Sequence, residues 1–350
     1  MNFQFSKPKL VKNLTVASLL FLVFIIPFLS MQNFSPASDE VTHIPSGYSY
    51  LKTREIKLNP QHPPFIKILS AVPLLFLDVK FNSDDPNFVG PAVREWQFGK
   101  DFLAENDINR ILFWARLPIV LLSVLLGWYV FRWGRDLFGY QGGLAGLFAY
   151  AFMPNIIAHS QLVTTDLGVT AFVFISLYYF WRLLNSDLKN KKNLVMTGIF
   201  LGLALGSKFS AVFLLPILLI LMIVYFVQKP GSVLEKINST LKVLLPIFFI
   251  AYFIVWALYF FSSDPMFYYK GLKTVYADRN THYLYYLNGS FSPTAWRSYF
   301  VWAFIIKTPV PFLVILFAAF VYFRKQNLNF LNNLFILLPS ALFLFMASWK

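Results

Sequence analysis

Apolar positions along this chain do not come singly or in pairs; they run on for most of a membrane's thickness. Stretches near 14–34, 111–131, 142–158, 166–184, 194–207, 209–227, 241–261, 299–323 and 330–348 are almost wholly apolar. A hydrocarbon core about 30 Å thick is crossed by roughly 17 to 25 helical residues, so most of these stretches predict spans. The run from Leu194 to Val227 is too long for one span and is interrupted at Gly206-Ser207-Lys208, which predicts a helical hairpin with a tight turn. The first stretch follows Lys7, Lys9 and Lys12, and Ser35-Pro36-Ala37 offers small residues for signal cleavage. Its apolar run exceeds the roughly 7 to 15 residues of a signal core, so it reads as a retained first helix. The pattern predicts an all-α integral membrane protein, a polytopic bundle of about nine helices, with residues 1–350 forming one module.

Two polar connections are long, 35–110 and 262–298. Inside the first, Pro63-Pro64 followed by Phe65 to Leu77 predicts a short apolar helix starting on proline. At about 1.5 Å per residue it spans roughly 20 Å, too little to cross, so it is expected to lie along the membrane surface.

Composition agrees with that reading: 57% of residues are hydrophobic, 41 are Phe and only 13% are charged, which excludes a soluble globular domain. The chain has no cysteine, which excludes a disulfide framework and a thiolate metal site. A net charge of +14 would suit a nucleic-acid partner if it formed one stripe, but the cations are spread among the connections. Arg132, Arg135, Arg182, Lys189, Lys191, Lys192, Lys229, Lys236, Arg324 and Lys325 fall in alternate connections, with Asp136, Asp187 and Glu235 among them. Cations accumulate on the cytoplasmic side, so the N-terminus is expected inside and both long loops outside, in a bacterial or archaeal plasma membrane.

The chemistry-bearing residues gather in those loops and at the neighbouring helix rims. Asp39-Glu40, with His43 three residues on, follows the first helix and suits a general base; the plainer reading is a charged helix terminus. Asn59-Pro60-Gln61-His62-Pro63-Pro64-Phe65-Ile66-Lys67 fixes an imidazole and an ammonium close together, as a phosphate contact or as an ordinary loop-to-helix junction. Arg116 lies inside the second span, where a guanidinium is expensive and either grips an anion or snorkels to the headgroups. A polar strip from Pro154-Asn155 through His159 to Asp166 separates two apolar helices, and Asp166 can equally cap the second of them. Lys208 and Lys307-Thr308-Pro309 are cations in apolar surroundings, more simply structural. The second loop carries Asp278 to Gly289 with His282 among tyrosines, a sugar-binding surface or an aromatic belt. No P-loop, nucleophile elbow, HExxH or dinucleotide fingerprint occurs.

In this order the segments resemble the polyprenyl-phosphate-dependent glycosyltransferases of the multi-helix C-type fold, which include protein O-mannosyltransferases and aminoarabinose transferases. The resemblance rests on Asp39-Glu40, Asn59 to Lys67, Arg116, Pro154 to Asp166, Gly202-Leu203-Ala204-Leu205-Gly206-Ser207-Lys208, His282 to Gly289 and Lys307-Thr308-Pro309. It implies a cell-envelope enzyme that transfers a sugar from a polyprenyl-phosphate donor to a hydroxyl of a protein, lipid or glycan outside the cytoplasm. Asp39 would be the base and Glu40 would orient substrate. Arg116, with Lys67 and Lys208, would hold the donor phosphate, and His43, His62, His159, Asp166 and His282 would line the substrate or acceptor site. No cofactor is fixed by the pattern, and a divalent metal fits the carboxylates as well as its absence does. Family members usually continue beyond the point where this chain stops, so a fragment or a minimal member is expected. The rival reading is a transporter or flippase of a lipid-linked or anionic substrate, whose ionisable groups would lie near the bilayer midplane. A third is a noncatalytic subunit that presents its outer loops to a partner.

Overall fold

A computed structural model describes residues 7–89, 94–277, 284–294, 296–323 and 329–348. It divides into two compact units: residues up to 59 with 64–174, and residues 60–63 with 175 onward.

The first unit begins with α1 (Lys7–Ser30) and α2 (Ser38–Thr53), followed by α3 (Phe65–Ala71), α4 (Pro86–Val89), α5 (Glu95–Ala104), α6 (Ile108–Ala151) and α7 (Pro154–Ser160). α8 (Thr165–Asn185) starts here. The proline-led apolar helix expected at 65–77 is present as α3 plus a 3-10 turn, Val72–Phe76. α6 is two helical arms that meet at a kink at Gly139, where φ is 76° and ψ is −177°, a conformation open to glycine and hostile to other residues. The Tyr150 hydroxyl meets Ser123 Oγ at 2.9 Å and donates to the Ser123 carbonyl at 3.0 Å. In a straight helix those residues would stand about 40 Å apart. Glycines let the two arms approach, since a Cβ on Gly134 would lie 3.0 Å from the Gly143 Cα. The expected span at 142–158 therefore ends early. Met153 is extended ahead of Pro154, as a residue before proline prefers, and α7 starts as a separate helix.

The second unit holds the rest of α8, α9 (Lys191–Ser207), α10 (Leu214–Val227), α11 (Val233–Leu258) and α12 (Phe267–Ala277). A hairpin of β1 (Tyr285–Leu287) and β2 (Ser290–Ser292) follows, then α13 (Tyr299–Lys307), α14 (Val310–Phe323) and α15 (Phe330–Ser348). The hairpin turns on Asn288-Gly289, both at positive φ, a pairing typical of two-residue turns. It is a small departure from an otherwise helical chain. α9 ends at Ser207 with Lys208 extended, as the break at Gly206-Ser207-Lys208 predicts. α9 meets α11 through Gly198 and Gly202, whose added Cβ atoms would lie 2.8 and 2.7 Å from the Cβ atoms of Ile250 and Ile254. The expected single span at 299–323 is bent by 112° between α13 and α14, because Thr308 is extended before Pro309 and Pro309 has no N–H to continue the ladder.

Five described helices are long and apolar enough to cross a membrane, or six if α13 and α14 make one span. The longest of the five is α6, which the Gly139 fold divides into two arms. Apolar side chains such as Phe249, Leu245, Phe317 and Phe320 stand exposed on these helices, where lipid solvates them. The chain is an all-α polytopic membrane protein.

Candidate active site at the head of α2

α2 starts immediately after the extended Ala37, and Glu40 turns its carboxylate back onto the helix N-terminus, Oε2 accepting from the Ala37 N–H at 2.8 Å. The same oxygen accepts from Arg116 Nη2 at 2.6 Å, while Oε1 accepts from Arg116 Nε at 2.8 Å and from the Val163 N–H at 2.9 Å. All four lone-pair positions of the carboxylate are taken. Arg116 is equally committed: Nη1 donates to the carbonyls of Met31 and Phe34 at 2.7 and 2.9 Å, and Nη2 to that of Ser35 at 3.0 Å. With the two bonds to Glu40, its five N–H groups are used, and both side chains are 0% exposed. The expectation that Arg116 grips a donor phosphate meets a guanidinium with nothing left to donate. It is a clamp, joining the end of α1, the head of α2, α6 and the turn before α8. Asp39, one residue ahead of Glu40 in the same first turn, is exposed.

The turn before α8 is gripped twice. Glu40 takes the Val163 N–H, and His43, one helical turn along α2, has Nδ1 3.0 Å from the Val163 carbonyl oxygen. His43 is buried, and this contact ties it to the turn. Beside Val163, Gln161 and Thr164 are only 6% and 7% exposed. Among the described residues, Gln161 Oε1 and Thr164 Oγ1 find no hydrogen-bond partner. Buried polar atoms are nearly always satisfied, so two orphans side by side are acceptors in want of donors. His159 is exposed at the end of α7, and Asp166 is half-buried in the first turn of α8, where a carboxylate complements the helix N-terminus.

Lys67 is also enclosed. A Cβ on Gly47 would lie 2.0 Å from the Lys67 carbonyl oxygen, so α2 and α3 touch backbone to backbone there. Its ammonium donates to the Asn59 carbonyl at 2.7 Å, to the Tyr50 hydroxyl at 3.0 Å and to Asn59 Oδ1 at 3.2 Å. The Tyr50 hydroxyl donates to the Leu58 carbonyl, and Asn59 Nδ2 donates to Glu95 Oε1 at 3.3 Å. Burial pushes the Lys67 pKa well below the ordinary lysine value, while the charge of Glu95 pulls it back up. Lys67 thereby ties α3 to Asn59 and to Tyr50 of α2.

The remaining candidates lie elsewhere. His62 is half-buried in the tetrapeptide 60–63, which packs with the second unit, the Pro60 carbonyl lying beside Gly271 of α12. Lys208 is half-buried at the extended junction after α9 in that unit. His282 falls outside the described residues, as do its neighbours at 278–283. Among the described residues, no three or more His, Asp or Glu side chains are grouped to share a metal ion. Gln161 and Thr164 lie in the polar strip legible in the sequence, but nothing in their spacing distinguishes them from His159 and Asp166. Tyr50 carries no sequence signal at all.

Apolar spans together with a buried polar cluster where α1, α2 and α6 meet define an integral membrane protein, and the resemblance to lipid-phosphate glycosyltransferases extends to a match. Residues 109–259, from α6 through α11, match the family model described as dolichyl-phosphate-mannose-protein mannosyltransferase. That segment includes Arg116, His159, Asp166 and Lys208 and begins after Asp39, Glu40, His43, His62 and Lys67. No curated protein matches the chain.

Proposed function

We propose that this chain is a membrane glycosyltransferase that moves a sugar from a polyprenyl-phosphate donor to an acceptor hydroxyl, with Asp39 as the general base. The family match supports the reaction class, and the observation that carries the assignment is the inequality within the acidic pair: Glu40 is saturated and buried, Asp39 is exposed in the same turn. Asp39 removes the proton of the acceptor hydroxyl as its oxygen attacks the anomeric carbon. The bond to the phosphate oxygen breaks, and polyprenyl phosphate leaves as a weak base that needs little acid assistance. A single displacement inverts the anomeric centre. Glu40, Arg116 and His43 are positioning residues that fix the head of α2 against the Val163 turn. The orphan oxygens of Gln161 and Thr164 accept hydrogen bonds from sugar hydroxyls.

Of the cations expected to meet the donor phosphate, Arg116 and Lys67 have donors engaged within the first unit. From the family description we carry over mannose as the sugar and a protein as acceptor. The positive-inside pattern supports chemistry on the extracytoplasmic side.

The test uses membranes containing the full chain and a labelled polyprenyl-phosphate mannose. Asp39→Asn is expected to lower kcat by about 10²- to 10⁴-fold, the usual worth of a general base, while leaving the thermal midpoint unchanged. Full kcat in Asp39→Asn would remove the base assignment. A topology reporter in the loop at 35–110 that scores cytoplasmic would remove the extracytoplasmic placement.

A further inference from the structure

We infer that the end of the α1/α6 pair opposite Asp39 holds a bound anionic phospholipid. A groove of about 430 Å³ opens there between α1 and the folded arms of α6, within the size range of small-molecule sites. Lys12 enters it from α1 and Arg135 from α6. Val16, Ala17, Leu20 and Phe131 make its apolar wall. The wall runs toward the middle of the helices and the cations sit at the rim, the same order as acyl chain and phosphate in a lipid.

The cations come from separate elements, and the groove is braced to keep them together. The Tyr140 hydroxyl donates to the Lys12 carbonyl at 3.0 Å, pinning α1 to the chain just past the Gly139 fold. The Lys12 ammonium stands 5.2 Å from the centre of the Tyr140 ring, and the Arg135 guanidinium 5.7 Å from that of Phe131. Aromatic faces orient a cation without neutralising it. Among the described residues no carboxylate reaches Lys12, and Arg135 has only its sequence neighbour Asp136, at 3.4 Å and with both side chains partly exposed. Such a pair contributes little and gives way to a phosphate.

Depth fits as well. Arg116 and Arg135 lie on the same arm of α6, before the fold, and 19 residues at about 1.5 Å each separate them by roughly 28 Å. That is close to a hydrocarbon thickness of about 30 Å, so an α6 with Arg116 at one interface has the groove mouth at the other. Trp128 on the groove wall is of the type that settles at that interface.

The test is native mass spectrometry of the purified full chain, comparing retained phosphatidylglycerol with phosphatidylcholine of the same acyl chains. Wild type should retain phosphatidylglycerol preferentially. Each near-surface cation is worth about fivefold in affinity, so Lys12→Gln with Arg135→Gln should weaken retention roughly 30-fold. Ala17→Phe, which fills the groove and leaves the charges alone, should also weaken it, and glycerol phosphate without acyl chains should not compete. Thermal midpoints in phosphatidylcholine that match wild type show that the variants are folded. Absence of a phosphatidylglycerol preference in wild type overturns the proposal, as does full retention in Ala17→Phe or equal competition by glycerol phosphate. Displacement by polyprenyl phosphate at lower concentration than phosphatidylglycerol overturns the choice of occupant.

Discussion

The two ends of the α1/α6 pair both carry cations, and they treat them in opposite ways. At the α2 end Arg116 is wholly buried, its N–H groups shared between one carboxylate and three carbonyls. At the other end Lys12 and Arg135 lean on aromatic faces in an open groove. A cation buried among acceptors becomes part of the scaffold, whereas a cation left on a ring face stays available to an anion. Depth in a helix does not by itself say which it will be.

The largest effect is expected where the commitment is greatest. Arg116→Ala strands the buried Glu40 carboxylate and should cost about 3 to 5 kcal/mol, read as lost folded yield and a lowered thermal midpoint in detergent. Glu40→Gln added to Arg116→Met should recover at least about 1 kcal/mol, since the stranded charge is gone. An Arg116→Ala chain as stable as wild type would erase the contrast. Gly47→Ala should follow, at about 1 to 3 kcal/mol, because the new methyl meets the Lys67 carbonyl oxygen and backbone must move.

Lys67 sharpens the same end through pH. Its folded pKa is depressed by burial, so between that value and the unfolded value near 10.5 the unfolded chain binds more protons than the folded one. Stability should therefore rise with pH across that alkaline window, the penalty of a buried charge being fully present below it. Thermal midpoints measured from neutral to alkaline pH should show this slope in wild type and lose it in Lys67→Met. An identical slope in both would remove Lys67 from the account. At the open end, Lys12→Gln and Arg135→Gln should each change stability by under about 0.5 kcal/mol in neutral lipid. Thr164→Val should be as small in stability, since it deletes an orphaned hydroxyl, yet should raise KM for the donor; an unchanged KM would remove Thr164 from the substrate site.

Hydropathy was enough to locate α1, α8, α9, α10, α11 and α15, because an apolar run long enough for lipid is a local property of the chain. The bends were less legible. The expected spans at 142–158 and 299–323 run straight through Met153-Pro154 and Thr308-Pro309, and only the backbone shows that both end a helix. Asp39 and Glu40 are alike in sequence; what separates them is Arg116, 76 residues away, and the Val163 amide, 123 residues away. Spacing flagged Arg116 and Lys67 as unusual and could not report that Met31, Phe34, Ser35 and Asn59 would absorb their donors. Gln161 and Thr164 were visible as polar residues between helices, but an unmet acceptor is a property of three-dimensional surroundings.

The distances along the chain within the Glu40 clamp also set an order of events during synthesis. Arg116 and Val163 are translated 76 and 123 residues after Glu40, which at about 5 to 20 residues per second is roughly 4 to 25 seconds. During that interval the carboxylate has none of these partners, and the head of α2 lacks the contacts that hold Asp39 in place. The first loop must wait outside the finished bundle until α6 and the turn before α8 have arrived. Residues at the start of the chain thus gain their full set of contacts only after its middle has been inserted, and a nascent chain halted before Val163 carries Asp39 without the scaffold that fixes its turn.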